Sequence, residues 1–270
     1  MITVGQACML GAVQGLTEFL PVSSDGHLAL LHTLIAPLPA RETLAIDVAL
    51  HAGTLAATLG YFRHDLLGML RALVAREQHD WRWRWIGLLA LGSVPVALVG
   101  YGARTAIEHT FTSMTVVGVS FLITGTLLFF TRLARTARTV RTEADVSAVD
   151  ALAIGCLQAT ALLPGISRSA TTISGGLFRG LRADVAARFS FLLGIPAVFG
   201  AQLLEMHAIG SLDPASRDAV LAGTVVAGLT GVAAIWALMR VMRSGRLHYF
   251  AYYLWPLGTL VLMSSWGRGG

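Results

Sequence analysis

The chain has 270 residues, of which 55% are hydrophobic and only 13% are charged. A soluble chain of this length would carry about 25% charged residues, and the mean hydropathy here is +0.67. These values exclude a disordered chain, a collagen-like chain and an ordinary soluble globule, because several charge-free runs approach the length that crosses a bilayer. The composition predicts an all-α polytopic integral membrane protein.

All the basic residues are arginines, and the formal net charge is +5. Most of them fall in four short stretches between apolar segments, at 63–84, 132–141, 179–188 and 240–246. Such clusters are typical of cytoplasmic loops under the positive-inside rule. We therefore interpret the positive charge as a topology signal and expect no nucleic-acid partner.

Six segments are predicted to cross the membrane, because each is a nearly charge-free run of about bilayer length. They are residues 44–62, 86–103, 111–131, 189–204, 219–239 and 247–267. With the arginine clusters placed inside, residues 1–41 and 150–185 must each enter the membrane and return to the same side. The sequence thus predicts two re-entrant helical hairpins of opposite sense.

Each predicted hairpin is followed by three spans, so the chain is expected to form one membrane domain, 1–270, with approximate repeat halves 1–131 and 150–264. A weak internal similarity favours an inverted repeat, a common plan among membrane transport folds. The residues that recur in order are Gly11, Gln14, Pro21, Ser23 and Ser24 in the first half, and Gly155, Gln158, Pro164, Ser167 and Ser169 in the second. Chance resemblance between two proline-broken hairpins is the alternative.

The first hairpin carries an acid within an apolar stretch. Gln14 and Glu18 are four residues apart and would share one helix face just before the break at Pro21. Such a pair could ligate a hard divalent cation, Mg²⁺ or Ca²⁺, or handle protons. Alternatively, Glu18 accepts hydrogen bonds from the amides that the break leaves free.

Polar residues follow the same break. Ser23, Ser24 and Asp25 have the chemistry of a turn and a helix N-cap, whose hydroxyls and amides could cradle an anion. His27 lies one turn further on and could act as a base, a nucleophile or a proton donor. The alternative is a histidine that is merely hydrogen-bonded in place.

The second hairpin carries Arg168 between Ser167 and Ser169, after Pro164 and Gly165. Arginine keeps its charge, and its planar guanidinium matches phosphate oxygens. If the two hairpins meet, Arg168 faces Glu18 and His27 across one cavity. A purely structural salt bridge from Arg168 to Glu18 or Asp25 is the alternative.

A third polar pair, Asp47 and His51, shares a face of the first span. These two side chains could line the cavity or pair with each other.

Two motifs carry a resemblance to a known family. Gln14 with Glu18 resembles the (Glu/Gln)-x-x-x-Glu element, and residues 164–172 match the Pro-Gly-x-Ser-Arg-Ser-x-x-Thr element, of bacterial undecaprenyl-diphosphate phosphatase, the bacitracin-resistance family. The similarity extends over nearly the whole chain, including 20–27, 51–54 and 189–196. This sequence departs from the family's pattern at Asp25, where a small or hydroxyl residue is more usual, and Gln14 fills a slot that is often Glu.

The resemblance implies a multi-pass enzyme of the bacterial inner membrane that hydrolyses undecaprenyl diphosphate and recycles the carrier lipid for cell-wall synthesis. It implies that Glu18 and Gln14 bind a divalent cation. Asp25 is not part of that pattern, and its carboxylate could assist the cation, orient His27 or cap the helix. Ser24 and His27 would be the nucleophile or proton-transfer pair, with water as the other possible nucleophile. The residues implied to hold the diphosphate are Ser167, Arg168, Ser169 and Thr172, and the hydroxyl of Ser23 at the first break is a further candidate for substrate binding.

Two further expectations concern function and assembly. An inverted repeat that binds lipid phosphate could also be a transporter or flippase without hydrolysis. The joint presence of Glu18, Ser24, His27 and Arg168 favours hydrolysis, since anion carriage needs no acid and base pair. Small residues between Gly223 and Gly231 would allow close helix contacts in a homodimer.

Overall fold

The structure, a computed structural model of the chain, describes residues 2–35, 38–76, 80–111, 113–134 and 141–266. Across these residues the chain is built from α-helices joined by short turns. In chain order the helices are α1 (Val4–Phe19), α2 (Ser24–Ile35), α3 (Ala40–Tyr61), α4 (Arg63–Ala75), α5 (Trp81–Gly102), α6 (Arg104–Thr110), α7 (Met114–Ala134), α8 (Ala148–Thr160), α9 (Arg168–Phe178), α10 (Ala183–Glu205), α11 (Arg217–Ser244) and α12 (Ala251–Trp266).

Five of the described helices, α3, α5, α7, α10 and α11, are long and apolar enough to cross a membrane. They coincide with five of the six predicted spans and confirm an all-α, multi-pass protein. The sixth predicted span corresponds to α12, which has 16 residues after a 3-10 turn at Leu247–Phe250. At 1.5 Å per residue α12 is about 24 Å long, shorter than a typical hydrocarbon core.

The short helix pairs α1–α2 and α8–α9 occupy the two segments predicted to be re-entrant. Each pair is broken in the middle and is followed by long helices. Their paths relative to the bilayer faces stay a prediction, as does the division into repeat halves.

Glycine contacts pack each half against the other in a matched way. A Cβ added to Gly11 in α1 would lie 2.1 Å from the carbonyl oxygen of Gly223 in α11. A Cβ added to Gly155 in α8 would lie 2.1 Å from the carbonyl oxygen of Gly92 in α5. Only glycine permits such close backbone approach. The first helix of each half thus packs on the middle long helix of the other, an exchange that an inverted repeat would produce.

The glycines expected to favour a homodimer are used inside the chain. A Cβ at Gly223 would lie 2.5 Å from the carbonyl oxygen of Ala7, and a Cβ at Gly231 would lie 2.7 Å from the ring of Phe19. These positions already carry the α1–α11 contact. The homodimer stays a prediction, without the support that these glycines were expected to give it.

An aromatic cluster supports the end of α1. Phe19 packs edge-on against Phe191 of α10 with ring centroids 5.8 Å apart, and Phe62 packs against the same ring at 5.7 Å. Phe19 and Phe191 are fully buried. Because interior side chains pack as densely as organic crystals, this cluster fixes the backbone next to Glu18.

A buried carboxylate anchors the start of α8. Asp150 is fully buried, accepts hydrogen bonds from Arg141 and from Arg179 Nε at 2.7 Å, and forms a capping box with Ser147. Desolvation raises the pKa of Asp150, but the hydrogen bonds from Arg141, Ser147 and Arg179 outweigh it and hold that pKa far below its ordinary value. This ion-pair group ties the end of α9 to the beginning of α8.

Candidate active site

The site lies where the two helix breaks meet. The first break follows Phe19 because Pro21 cannot continue the helical hydrogen-bond ladder and disfavours helical geometry at the residue before it. The second break contains Gly165, whose φ of 90° favours glycine. A Cβ on Gly26 would lie 3.1 Å from the Cα of Gly165, so the breaks touch backbone to backbone.

Glu18 and Arg168 form the ion pair that joins the two breaks. Arg168 Nη2 donates to Glu18 Oε1 at 2.9 Å, and both side chains are largely buried. Ser24 Oγ donates to Glu18 Oε2 at 2.7 Å, and Gln14 Nε2 donates to the same oxygen at 3.3 Å. The structure therefore brings together four of the residues singled out in the sequence.

Two buried polar atoms in this group have no hydrogen-bond partner among the residues that the structure describes. They are Arg168 Nη1 and Gln14 Oε1. Buried polar atoms are normally paired, so each orphan requires an explanation. Arg168 Nη1 belongs to a cation and can donate to an anion, whereas Gln14 Oε1 is a neutral acceptor that can bind a cation. The two atoms together therefore suit an anion that binds with its cation.

Arg168 reaches its position only because α10 has a glycine beside it. A Cβ on Gly194 would lie 2.1 Å from Arg168 Nη1. A narrow cleft with a volume of ≈ 10 Å³, about the space of one water molecule, opens at this point between α3 and α10. Its lining includes Glu18, Thr54, Thr58, Arg168 and Ile195.

The hydroxyls of the second break hold the loop that presents Arg168. Ser167 caps α9, its Oγ accepting from the amide of Ala170 at 3.2 Å. Ser169 Oγ donates to the carbonyl oxygen of Leu20 at 3.3 Å, which ties this break to the first. Thr172 Oγ1 donates to the carbonyl oxygen of Arg168 at 2.7 Å. In the described structure, Ser167, Ser169 and Thr172 thus bond within the protein.

Ser23 has an unusual backbone conformation, with φ at 71°. Positive φ is uncommon for a residue with a side chain and marks stored strain at functional sites. The Ser23 side chain is buried, and its Oγ accepts weakly from the amide of Gly26 at 3.4 Å. This turn starts α2 and aims Ser24 at Glu18.

His27 points away from the Glu18–Arg168 pair. Its Nδ1 bonds the carbonyl oxygen of Ser23 at 2.7 Å, and its Nε2 bonds the hydroxyl of Tyr253 at 2.7 Å. The ring stacks on Tyr253 with centroids 5.8 Å apart. His27 therefore holds the strained turn at Ser23 and makes no described bond to Ser24 or Glu18.

His51 is the site residue that was missing from the predicted catalytic group. Its Nε2 lies 3.6 Å from Glu18 Oε2 and 3.7 Å from Asp25 Oδ1. Its Nδ1 bonds the carbonyl oxygen of Asp47 at 2.9 Å. The signal for it was the pair of ionisable residues, four apart, in the first span.

Asp25 and Asp47 both lie near this group without touching Arg168. The described contact of Asp25 is with His51, whereas the carboxylate of Asp47 pairs with His32 Nε2 at 2.9 Å. The two alternatives for Asp47 and His51 are therefore each partly right. His51 lines the site, and it bonds Asp47 through the backbone.

Comparisons with known proteins cover this whole region. A family model described as bacitracin resistance protein BacA matches residues 7–260. The undecaprenyl-diphosphatase of Syntrophotalea carbinolica is 42% identical over 261 residues, which cover 96% of this chain and 98% of that protein. The undecaprenyl-diphosphatase of Desulfosudis oleivorans is 41% identical over 269 residues, covering 95% and 97%. That of Methanosphaera stadtmanae is 36% identical over 281 residues, covering 98% and 99%. The family match runs through both helix breaks.

Proposed function

The chain belongs to the bacitracin resistance protein BacA family, and from this premise we propose that it hydrolyses undecaprenyl diphosphate to undecaprenyl phosphate and inorganic phosphate. The observation that carries the proposal is the Glu18–Arg168 pair at the junction of the two breaks, with Ser24 bonded to the acid. The enzyme is thus a membrane phosphatase that recycles a carrier lipid for cell-wall synthesis, an activity that supports bacitracin resistance.

Arg168 is the group that binds the diphosphate. Its unpaired Nη1 lies at the cleft beside Gly194, where a phosphoryl oxygen could accept from it. In phosphoryl transfer the protein mainly positions groups and stabilises the charge on the transferring phosphoryl. A guanidinium held by Glu18 in a largely buried site is preorganised for that task.

Ser24 is the nucleophile that the geometry supports best. Its hydroxyl donates to Glu18 Oε2, so the proton can pass to the carboxylate as Ser24 Oγ attacks the terminal phosphorus. The bond to the bridging oxygen breaks, and undecaprenyl phosphate leaves. Water then attacks the phosphorus of the phosphoserine and the bond to Ser24 Oγ breaks. Inorganic phosphate leaves, Ser24 Oγ takes back the proton held by Glu18, and the proton lost by water leaves with the products.

His27 acts as a positioning residue. It holds the carbonyl oxygen of Ser23 and, through it, the left-handed turn that aims Ser24. This assignment differs from the expected proton-transfer role, because the other ring nitrogen is engaged by Tyr253.

Gln14 and Glu18 fit a divalent cation such as Mg²⁺ or Ca²⁺. Gln14 Oε1 is a buried acceptor without a partner, and Glu18 supplies a carboxylate on the same helix face. Mg²⁺ is commonly bound by one or two carboxylates together with substrate phosphates. The described residues contain no group of three His, Cys, Asp or Glu side chains that could hold a metal ion alone. Asp25 is a further candidate ligand beside Gln14 and Glu18. The cation would neutralise charge on the diphosphate.

The substrate's isoprenoid tail would lie among the long apolar helices in the bilayer. We place the protein in the bacterial inner membrane, because a lipid carrier for cell-wall synthesis is consumed there. The names of the relatives favour hydrolysis over the transporter alternative, which no described contact specifically supports.

A phosphate-release assay on the purified full-length chain in detergent tests the proposal. We expect release from undecaprenyl diphosphate by the wild type, suppression by EDTA, and loss of release in Arg168→Ala and Glu18→Ala. Arg243→Ala is the matched control, since Arg243 lies at the end of α11, outside both helix breaks. Full turnover by folded Arg168→Ala would overturn the assignment.

A further inference from the structure

A second and larger cavity lies apart from the Glu18–Arg168 cleft. It has a volume of ≈ 450 Å³ and sits between the last turns of α11 and the beginning of α12. The side chains that line it include Arg240, Ser244, Arg246, Tyr249, Phe250 and Tyr253. Nothing in the proposed reaction uses these residues except Tyr253, whose hydroxyl bonds His27.

The two arginines of this cavity lack acidic partners. The guanidinium of Arg240 stacks 3.6 Å above the ring of Trp236, and that of Arg246 lies 6.0 Å from the ring of Tyr249. Neither makes an ion pair with a carboxylate of the residues that the structure describes. A guanidinium held over an aromatic ring by a cation–π contact still has N–H groups that can donate to a second partner.

Three other arginines near the same arginine-rich end are neutralised by acids, whereas Arg132 and Arg243 also have no ion pair with an acid among the described residues. Arg141 and Arg179 bind Asp150, and Arg182 binds Asp184. The pair at the cavity is therefore an uncompensated positive charge beside a concave surface. Two guanidiniums with free edges match the oxygens of a phosphate group, each able to donate two parallel hydrogen bonds.

The rest of the cavity wall is aromatic and apolar. Tyr249, Phe250 and Tyr253 line it, and Tyr249 and Tyr253 are about half exposed. A free inorganic anion would gain nothing from this surface, whereas the first carbons of a lipid chain would bury against it. The arrangement, with cationic groups at a helix end and an aromatic wall beside them, suits a ligand that has both a phosphate and a hydrocarbon chain.

We propose that this cavity is a second binding site for a lipid phosphate, with Arg240 and Arg246 on the phosphate oxygens. The site lies at the end of α11 that the arginine clusters predict to be cytoplasmic. The shared chemistry is an anionic phosphate on a hydrocarbon chain, carried either by a phospholipid such as phosphatidylglycerol or by a polyprenyl monophosphate.

Native mass spectrometry of the full-length chain tests this site without any turnover. The Arg168→Ala background is used throughout, so that phosphate binding at the proposed active site does not contribute. The probes are phosphatidylglycerol, undecaprenyl phosphate, inorganic phosphate and an uncharged diacylglycerol. We expect binding of at least one of the two lipid phosphates and much weaker binding of the other two probes.

The double variant Arg240→Gln/Arg246→Gln should weaken that lipid binding by about tenfold or more, equivalent to at least about 1.4 kcal/mol. Arg243→Gln is the matched control, because it removes a positive charge from the same helix end without touching the cavity. Arg240→Lys/Arg246→Lys keeps both positive charges and serves as a second variant in case the glutamine variant fails to fold. We expect it to lose part of the lipid binding, because lysine lacks the planar guanidinium that donates two parallel hydrogen bonds.

Undiminished lipid binding by the folded double variant would overturn the proposal, as would an equal loss in Arg243→Gln. Binding of inorganic phosphate as tight as that of the lipids would overturn the lipid assignment. Comparison of phosphatidylglycerol with undecaprenyl phosphate identifies which of the two lipid phosphates the site binds. Because the readout is binding in a background without turnover, failure here is distinguishable from failure of the proposed phosphatase activity.

Discussion

Gly194 and Arg168 are in direct contact: the guanidinium of Arg168 occupies the space in which a side chain at position 194 would begin, since a Cβ there would lie 2.1 Å from Nη1. The glycine of α10 is therefore part of the phosphate-binding arrangement, although it carries no chemistry of its own. Its role is to let the arginine of α9 reach the cleft while the ion pair with Glu18 forms.

This contact predicts the effect of Gly194→Ala. The added methyl group should displace the guanidinium, weaken the Glu18 contact and reduce phosphate release by about tenfold or more, a cost of about 1.4 kcal/mol in the transition state. Steady-state kinetics on undecaprenyl diphosphate measures it. Gly200→Ala is the control, because a Cβ at Gly200 in the same helix meets nothing within 4 Å. Equal activity of the two variants would contradict the role assigned to Gly194.

Ser24→Ala tests the nucleophile. If Ser24 forms a phosphoserine intermediate, its removal should lower the phosphate-release rate by at least about 10²-fold, whereas a hydroxyl that only orients water would cost less. Ser93→Ala is a suitable control, since among the described residues Ser93 Oγ bonds only the carbonyl oxygen of Leu89 in its own helix. Near-normal turnover by Ser24→Ala would shift the role of nucleophile to water.

The sequence predicted much of this site, and the contacts show why part of it was missed. Glu18, Ser24 and Arg168 can be identified from the sequence because charged or turn-forming residues within an apolar segment are costly and suggest function. Gln14 can be identified because it lies four residues before Glu18, on the same helix face. Gly194 carries no such signal, because its role depends on the position of the Arg168 guanidinium, and Arg168 lies 26 residues earlier in the chain.

His27 and His51 also show that distance along the sequence does not predict which side chains meet. His27 adjoins Ser24 in sequence, yet α2 turns its ring toward Tyr253 of α12. His51 lies in another helix and still reaches Glu18. Long helices were predictable from apolar runs, whereas the rotation of each helix about its axis depends on packing that a single sequence does not display.

His51→Phe is expected to impair activity. The substitution keeps a ring of similar shape but leaves Glu18 and Asp25 near each other without the imidazole between them. Because like charges close together are unfavourable, we expect the two carboxylates to move apart. Phosphate release should then fall by about tenfold. His32→Phe is the comparison, since His32 contacts Asp47 rather than Glu18. A larger loss in His32→Phe than in His51→Phe would refute this ordering.

Tyr253→Phe removes a single hydroxyl from the partner of His27. The hydrogen bond at 2.7 Å holds the ring that supports the Ser23 turn. We expect kcat to fall severalfold with KM nearly unchanged, because the substrate-binding Arg168 is untouched. Tyr252→Phe is the neighbouring control. If Tyr253→Phe raised KM alone, Tyr253 would act on substrate binding and His27 would lose its positioning role.

The ion-pair group at the start of α8 gives a prediction about stability and pH. Asp150→Asn leaves Arg141 and Arg179 without their carboxylate and should lower the unfolding free energy at neutral pH by about 1 to 3 kcal/mol. Because the pKa of folded Asp150 is depressed, its stabilising contribution is complete above the pKa of the unfolded chain. That contribution is lost as the pH falls toward the lowered folded-state pKa.

The difference in melting temperature between wild type and Asp150→Asn should therefore be larger at about pH 7 than at about pH 3, measured by thermal unfolding in detergent. Asp145→Asn is the matched control, since Asp145 is exposed and caps a short 3-10 turn with Thr142. If the difference in melting temperature increased as the pH fell, burial, which raises the pKa of Asp150, would outweigh the hydrogen bonds from Arg141, Ser147 and Arg179.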